Sequence, residues 1–409
     1  MEYIRRAIEG IIRKSDATFK CILVTGARQT GKSTMLKHIF SDRGYVSLDD
    51  PFVEDQARQN ANVFIALNPP PVIYDEVQRA PDLFRHVKIK CDESESRGLF
   101  CLSGSQPFEL MKNVSESLAG RVSIIELSGL SLREIVHDAF DERFLPTVEY
   151  VEKRNRTAKP VENIWKIIHR GSFPELQNEE VDWSIFYSSY VKSYLERDVR
   201  QLSAVQNLDD FRRFMIAAAA RTGQMLNYSN IANEIGKDLT TIRNWISILE
   251  ASGIVYLLEP FSNSVLKRAI KTPKLYFRDT GLASYLTRWL TPETLAMGAM
   301  GGSMLETFVV SEVLKSYSNA GMDYRYCVSY YRGKDNGSES EIDLIIEENG
   351  ILHPIEIKMN SSATADQTSA FRVLDKIQDK KRGMGALVCS CPQPGMLRDN
   401  VMLLPYWFI

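Results

Sequence analysis

The chain has 409 residues, 44% of them hydrophobic and 25% charged, a length beyond what one hydrophobic core serves and a composition of ordinary folded domains. Its formal net charge of -2 excludes a generic polyanion binder, because unspecific nucleic-acid affinity needs clustered Lys and Arg, so any DNA contact must come from a local patch. No run approaches the roughly eighteen apolar residues that span a bilayer and residues 1–15 lack a signal-peptide layout, so the expected location is cytoplasmic, with no membrane partner.

Residues 1–130 alternate β-rich and helical runs, with strands expected at 21–25, 45–48, 71–74, 99–103 and 123–127. This is the pattern of an α/β domain, a mostly parallel sheet covered by helices. Residues 131–222 turn helical and read as a lid or connector. Within 223–262 the pattern is helix, turn, helix and β-hairpin, a winged-helix domain. In its second helix Leu239, Ile242, Ile246 and Leu249 recur at helical spacing, leaving Thr240, Thr241, Arg243, Asn244 and Ser247 outward. A basic entry segment follows, with Lys267, Arg268, Lys271, Lys274 and Arg278 and no acid between them. Residues 263–409 close the chain as a small α/β domain. Six cysteines without a C-x-x-C pair, beside five histidines, argue against structural zinc and a disulfide framework.

The octet Gly26, Ala27, Arg28, Gln29, Thr30, Gly31, Lys32, Ser33 fits G-x-x-x-x-G-K-[ST], after an apolar strand and before a helix. Its glycines let successive backbone N–H groups face a phosphate, and the helix N-terminus adds its positive dipole end. Lys32 would reach the β and γ phosphates of ATP and Ser33 would ligate Mg2+, with Thr34 next to it on the helix. A second apolar strand ends in Asp75 and Glu76. Asp75 is expected to hold the Mg2+ water shell and Glu76 to deprotonate the attacking water. The strand ending at Ser103 brings Ser105 or Gln106 to the phosphate side as a sensor. Arg121 has two readings: an arginine reaching a neighbouring subunit's γ-phosphate in a homo-oligomer, or a surface arginine paired locally.

The segments G-A-R-Q-T-G-K-S-T, V-S-L-D-D (residues 46–50), Y-D-E-V-Q-R-A-P, L-S-G-S-Q, S-L-A-G-R and L-S-G-L-S-L-R-E (residues 127–134), with K-T-P-K-L-Y-F-R-D-T-G-L at 271–282, resemble the AAA-type ATPases that carry a C-terminal DUF4143 region. The resemblance covers nearly the whole chain. It implies an ATPase with a winged helix and a restriction-endonuclease-like C-terminal domain. Ser33 in place of Thr, and Tyr74 before the acid pair, depart from the commonest form without removing a functional group.

In the C-terminal domain, strands at 342–347 and 351–358 flank Asn349-Gly350, a two-residue hairpin signal. The hairpin sets Asp343 opposite Glu356 and Glu341 opposite Lys358, all four on one face, with Ile342, Leu344, Ile355 and Ile357 on the other. Opposed like charges about 4.5 to 5.5 Å apart are destabilising, so a proton, Lys358 or a divalent cation has to offset them. Asp followed by a hairpin and E-x-K is the layout of metal-dependent nucleases, with the carboxylates holding Mg2+ or Mn2+ and Lys358 activating water. Glu306, in an apolar helix at 303–316, needs a partner and is the candidate third carboxylate.

The same hairpin also fits a solvated charged face, leaving a nuclease-like fold that only docks a protein or nucleic acid. Thr240, Thr241, Arg243 and Asn244 would contact duplex DNA and residues 267–278 its phosphates. The expected function is a Mg2+-dependent ATPase whose nucleotide state controls a DNA-associated, nuclease-like module. A nucleotide-gated oligomeric scaffold with an idle C-terminal domain and a DNA-binding regulator with slow turnover are the alternatives.

Overall fold

The computed structural model describes residues 3–105, 118–195, 199–200, 205, 207–262, 272–335, 338–361 and 363–409. The chain divides into two compact units. One comprises Met1–Leu130, Phe173–Glu175 and Ala251–Ile254; the other comprises Ser131–Ser172, Leu176–Glu250 and Val255–Ile409.

The first unit is built on five parallel strands: β1 (Cys21–Thr25), β2 (Gly44–Ser47), β3 (Val72–Asp75), β4 (Phe100–Ser103) and β5 (Val122–Glu126), in the order β2-β3-β4-β1-β5. These are the strands the sequence predicts, each within a residue or two. Continuous apolar runs arise because both faces are covered. Cys21 and Leu23 pack into one core with Val72, Tyr74, Phe100 and Leu102. Ile22 and Val24 point the other way, against Ile73, Cys101, Ile125 and the apolar side of the helix Lys32–Ile39. Because all strands run parallel, the ends of β1, β3 and β4 share one sheet edge. Asp49 links two motifs: it pairs with Arg79 at 2.6 Å, and Arg79 also reaches Glu54 at 3.1 Å.

The second unit holds the helix-turn-helix, Tyr228–Ile235 and Leu239–Ala251. The first helix ends on Gly236 in the left-handed region, and Asp238 accepts from the Thr241 N–H and hydroxyl. Three antiparallel strands accompany these two helices, β6 (Gln224–Met225), β7 (Val255–Leu258) and β8 (Lys274–Phe277), with β8 central; the hairpin expected within 223–262 is replaced by pairing of β7 and β6 with β8, beyond that span. Ile242, Trp245, Ile246, Ile248 and Leu249 are buried, whereas Thr240, Arg243, Asn244 and Ser247 are exposed. Leu239 departs from expectation: at the first position of the helix it is exposed, and Trp245 fills the core instead.

The remainder of this unit is the helix Gly301–Asn319 and a mixed sheet. Its strands are β9 (Val328–Asp335), β10 (Ser338–Glu348), β11 (Ile351–Ile357), β12 (Lys381–Arg382), β13 (Gly385–Cys389), β14 (Gly395–Arg398) and β15 (Val401–Pro405). The order is β14-β15-β13-β11-β10-β9, with β12 beside β11. Asn349 and Gly350 both have positive φ, as a tight hairpin of this twist needs. The register is the predicted one, from Glu348 opposite Ile351 to Leu344 opposite Ile355. The unbroken alternation is not. Pairing with β9 shifts between Ile342 and Ile345, and both isoleucines enter one core with Leu352 and Phe371. A bulge lets residues of opposite parity face the same side, and Asp343 lies inside it.

Candidate functional site

At the carboxyl edge of the first sheet the chain leaves β1 through Gly26 at φ 140°. A Cβ there would lie 2.2 Å from the Leu127 carbonyl oxygen, so only glycine fits. Gln29 and Gly31 also have positive φ, which curls the loop before Gly31 caps the helix Lys32–Ile39. Ala27 and Arg28 are half-buried and Gln29 is exposed. Lys32 is buried and its Nζ donates to the carbonyls of Gly26 (3.1 Å) and Ala27 (2.8 Å). The ammonium is thereby held over the loop. Thr30 closes the turn through its hydroxyl on Ala27 O at 3.0 Å. Thr34, two residues into the helix, is exposed.

Asp75 ends β3 and is buried. Its Oδ2 accepts from Tyr45 at 2.6 Å and its Oδ1 from Ser103. Tyr45 and Ser103 thus hold both oxygens of the acid expected at Mg2+. Burial, and then the bond to Asp75 and its charge, push the Tyr45 pKa upward, which keeps it a donor. Glu76 follows in the left-handed region at φ 56°. Its carboxylate accepts from Ser105 at 3.0 Å and from Gln78. Ser105, expected at a phosphate, here steadies the acid. Gln106 and Ser117 lie outside the described residues. Arg121 is held by Asp92 at 2.5 Å and by the Ala119 carbonyl at 2.9 Å, the local pairing of its second reading.

Sequence reasoning missed Tyr45, Gln78 and Arg6. Arg6 is 3% exposed. Its guanidinium donates to Thr30 O (2.9 Å), Ser128 O (2.7 Å) and Gly129 O (3.2 Å), binding the loop to the segment after β5. Nothing in the order of residues near Arg6 announces this, since its partners are carbonyls far along the chain.

In the second unit the four acids of the C-terminal reading and two lysines meet. Lys274 Nζ lies 2.9 Å from Glu306 and 2.7 Å from Glu341, and Tyr276 donates to Glu306 at 2.6 Å. Lys358 lies 2.6 Å from Glu356 Oε1, while the buried Oε2 of Glu356 has no hydrogen-bond partner. Asp343 Oδ2 accepts the Ile357 N–H at 2.9 Å, beyond the last paired residues of the two strands, Leu344 and Ile355. Burial, then the charges of Glu306 and Glu356, raise the Asp343 carboxyl well above the usual range. Burial likewise raises Glu356, against the pull of Lys358. Burial alone would lower Lys274 and Lys358. The surrounding carboxylates, Glu306 foremost for Lys274 and Glu356 for Lys358, override it and keep both charged.

Two expectations need correction. Lys274, read as a phosphate contact, is buried in β8 among acids, and Arg278 donates to the Val255 carbonyl at 3.4 Å. Lys267, Arg268 and Lys271 lie outside the described residues. The carboxylates of Glu306, Asp343 and Glu356 do not close around one point: among the described residues no group of three or more His, Cys, Asp or Glu is arranged to hold a metal. Lys274 and Lys358 have drawn an oxygen each from Glu306 and Glu356. The L-S-L-R-E segment is architectural: Ser131 and Glu134 form a capping box, and Arg133 binds the carbonyls of Phe140, Glu142 and Ile409.

A parallel sheet with a glycine-lysine-serine loop after β1 and an acid pair at the end of β3 defines the first unit as a P-loop nucleotide-binding domain. Family models carry this further. Residues 18–136 match the AAA domain and residues 301–409 a domain of unknown function, DUF4143, so the chain carries an AAA-type P-loop ATPase domain at its N-terminus and a DUF4143 domain at its C-terminus. Residues 161–293 match another domain of unknown function, DUF8612, which takes in the helix-turn-helix and Lys274. The uncharacterized proteins Rv2008c of Mycobacterium tuberculosis and Mb2031c of Mycobacterium bovis are each 28% identical over 373 residues, 91% of this chain and 77% of theirs. Among solved structures, a Walker-type ATPase of Pyrococcus abyssi aligns at 14% identity over 68% of this chain and 94% of its own, with a TM-score of 0.43. AMPPCP-bound DnaA from Aquifex aeolicus aligns at 15% identity over 59% and 85%, with a TM-score of 0.28. Among the described residues no helix is long and apolar enough to cross a membrane.

Proposed function

We propose that the protein is a Mg2+-dependent ATPase whose nucleotide state controls a DNA-associated, nuclease-like C-terminal module. The observation that carries the ATPase reading is the set of hydrogen bonds at the sheet edge, in which Tyr45 and Ser103 hold Asp75 and Ser105 with Gln78 fixes Glu76. A Mg2+ ion bound with ATP would neutralise phosphate charge, and Ser33 and Asp75 are the residues to hold it. The loop amides and Lys32 bind the phosphates, Lys32 exchanging its two carbonyl partners for phosphate oxygens. Glu76 Oε accepts the proton of the attacking water, and its two donors set the direction of that oxygen.

The nuclease-like reading rests on Asp343, Glu356 and Lys358 at the opened end of the β10-β11 hairpin. Four carboxylates face two ammonium groups there, two negative charges in excess when all are ionised. A divalent cation, Mg2+ or Mn2+, would answer that excess and the unpartnered Glu356 Oε2, but only after Glu306, Asp343 and Glu356 move together, since they do not close around one point as they stand. The exposed Arg243, Asn244 and Thr240 supply the surface for duplex DNA. A second reading, an idle C-terminal module that binds a protein partner, is favoured by the Lys274–Glu306 pair, which already neutralises one expected ligand.

One experiment tests both halves: ATP hydrolysis and DNA cleavage measured for the wild type, Lys32→Ala, Glu76→Gln and Asp343→Ala. Lys32→Ala should lose nucleotide binding. Glu76→Gln should keep binding but hydrolyse about 10² to 10⁴ times more slowly. Asp343→Ala should abolish cutting with hydrolysis near normal; cutting at the wild-type rate by this variant refutes the nuclease reading, and undiminished hydrolysis by Glu76→Gln refutes the assignment of the base.

A further inference from the structure

Tyr45 stands between the two elements that carry the residues expected at Mg2+. It lies on β2 and packs against the core to which Met35, Leu36 and Ile39 of the helix Lys32–Ile39 belong. From that helix Lys37, one turn after Ser33, sets its ammonium over the Tyr45 ring, 3.6 Å from the centroid. On the other side the phenol donates to Asp75, at the end of β3, at 2.6 Å. One ring thus bridges the helix that begins with Lys32 and Ser33 and the strand that ends in Asp75.

Asp75 supplies an independent observation. An ionised carboxylate has about four lone-pair positions, two on each oxygen. Oδ1 accepts from the Ser103 hydroxyl and from the Glu76 N–H at 3.2 Å, so both of its positions are taken. Oδ2 accepts from Tyr45 and keeps one position open. That open position and the Ser33 hydroxyl are hard oxygen donors, the kind that Mg2+ and its water shell take.

We propose that Tyr45, braced by Lys37, is a positioning residue for the ion that accompanies ATP: by filling one place on Asp75 Oδ2 it leaves a single direction in which that carboxylate can receive a Mg2+-bound water. The inference rests on the ATPase reading of this loop and acid pair. The ammonium over the ring draws charge from the phenol and makes its O–H a stronger donor, so Lys37 and Asp75 act on Tyr45 in the same sense. Without the hydroxyl, Oδ2 would have two open places and the direction towards the helix of Ser33 would no longer be fixed.

Calorimetry on the full chain, with AMPPCP as ligand in Mn2+ and again in chelator, tests this without turnover. The ratio of the two affinities is the gain that the ion confers. Tyr45→Phe should bind AMPPCP in chelator within about a factor of two of the wild type and lose about ten-fold or more of the Mn2+ gain. Lys37→Met, which keeps the stem and removes the cation, should lose about two- to five-fold of it. Asp75→Asn is the control for the ion assignment and should lose at least as much as Tyr45→Phe. A wild-type gain in Tyr45→Phe, with the gain lost in Asp75→Asn, overturns the role of Tyr45 and leaves the ATPase reading standing. A wild-type gain in Lys37→Met overturns the bracing. No gain in the wild type, or an undiminished one in Asp75→Asn, overturns the ion assignment and this inference with it. A Tyr45→Phe protein that loses affinity equally in chelator and in Mn2+, or that no longer melts cooperatively, makes the phenol a packing element and also overturns the inference.

Discussion

Replacing Arg6 by Ala separates loop geometry from mere fold maintenance. The guanidinium holds three carbonyls, that of Thr30 in a fully buried bond and those of Ser128 and Gly129 in bonds that water can partly replace. Leaving a buried acceptor without its donor costs about 1 to 3 kcal/mol, and each partly buried bond contributes about 0.5 to 1.5 kcal/mol net. The expected destabilisation is therefore about 2 to 6 kcal/mol, out of a total stability of about 5 to 15 kcal/mol for a typical domain. The loop is affected beyond stability, because Thr30 sits between the curl at Gln29 and the cap at Gly31. If reordering the freed loop costs only about 1.4 kcal/mol of binding energy, nucleotide affinity falls about ten-fold. Urea unfolding and titration with a fluorescent ATP analogue measure the two effects on one preparation. A variant that loses stability but binds nucleotide within a factor of two of the wild type refutes the argument that Arg6 preorganises the loop.

Two further outcomes are open to measurement. Mixing Lys32→Ala with Arg121→Ala subunits should restore part of the ATP hydrolysis each lacks alone if Arg121 serves a neighbour. Intact assembly with no rescue would assign Arg121 to its surface pair with Asp92. Asp343→Asn reports on the cluster through pH. Because burial and the charges of Glu306 and Glu356 raise the Asp343 carboxyl, this residue's contribution to stability is full below the ordinary carboxylate range and is lost as pH rises through the raised pKa. The Asn side chain keeps an acceptor for the Ile357 N–H, so Asp343→Asn should match the wild type in acid and gain on it towards neutral pH. Thermal melting in the presence of a chelator reads this. An advantage of the variant that grows as pH falls would show that the carboxyl is not raised.

Much of the first unit is legible because its information is local. The five strands are apolar runs bounded by turn residues, and the loop from Gly26 to Ser33 carries its glycines where positive φ is needed. The helix-turn-helix is legible for the same reason: Gly236 and Asp238 mark its turn, and Ile242, Ile246 and Leu249 its inner side. Leu239 misleads because periodicity assigns a side from spacing alone, and the first residue of a helix has no preceding turn to cover it. The β10-β11 register follows from two residues, Asn349 and Gly350, whose positive φ values permit only a short turn. The bulge at Asp343 leaves no such mark. It comes from pairing with β9, a partner that hairpin arithmetic ignores.

The same distinction explains the cluster and decides which of its residues matter. Asp343, Glu356 and Lys358 are readable because a hairpin brings near neighbours in sequence together. Lys274 is not, because its charge looks like part of a basic run until the fold buries it. Run and burial call for opposite chemistry: a surface lysine there would serve phosphates, whereas a buried one has to be neutralised by acids. Asp343 in turn accepts the Ile357 N–H, which leaves it less acceptor capacity for a cation. The cluster answers its crowding of acids partly by protonation, since burial raises the Asp343 and Glu356 carboxyls, and partly by the two ammonium groups of Lys274 and Lys358. An unpartnered atom such as Glu356 Oε2 does not by itself mark a site, because Arg154 Nε, beside the Arg133 network, is also buried without a partner. What separates the two networks is charge: Arg133 is committed to the carbonyls of Phe140, Glu142 and Ile409, whereas Lys274 and Lys358 are committed to carboxylates that would otherwise repel one another.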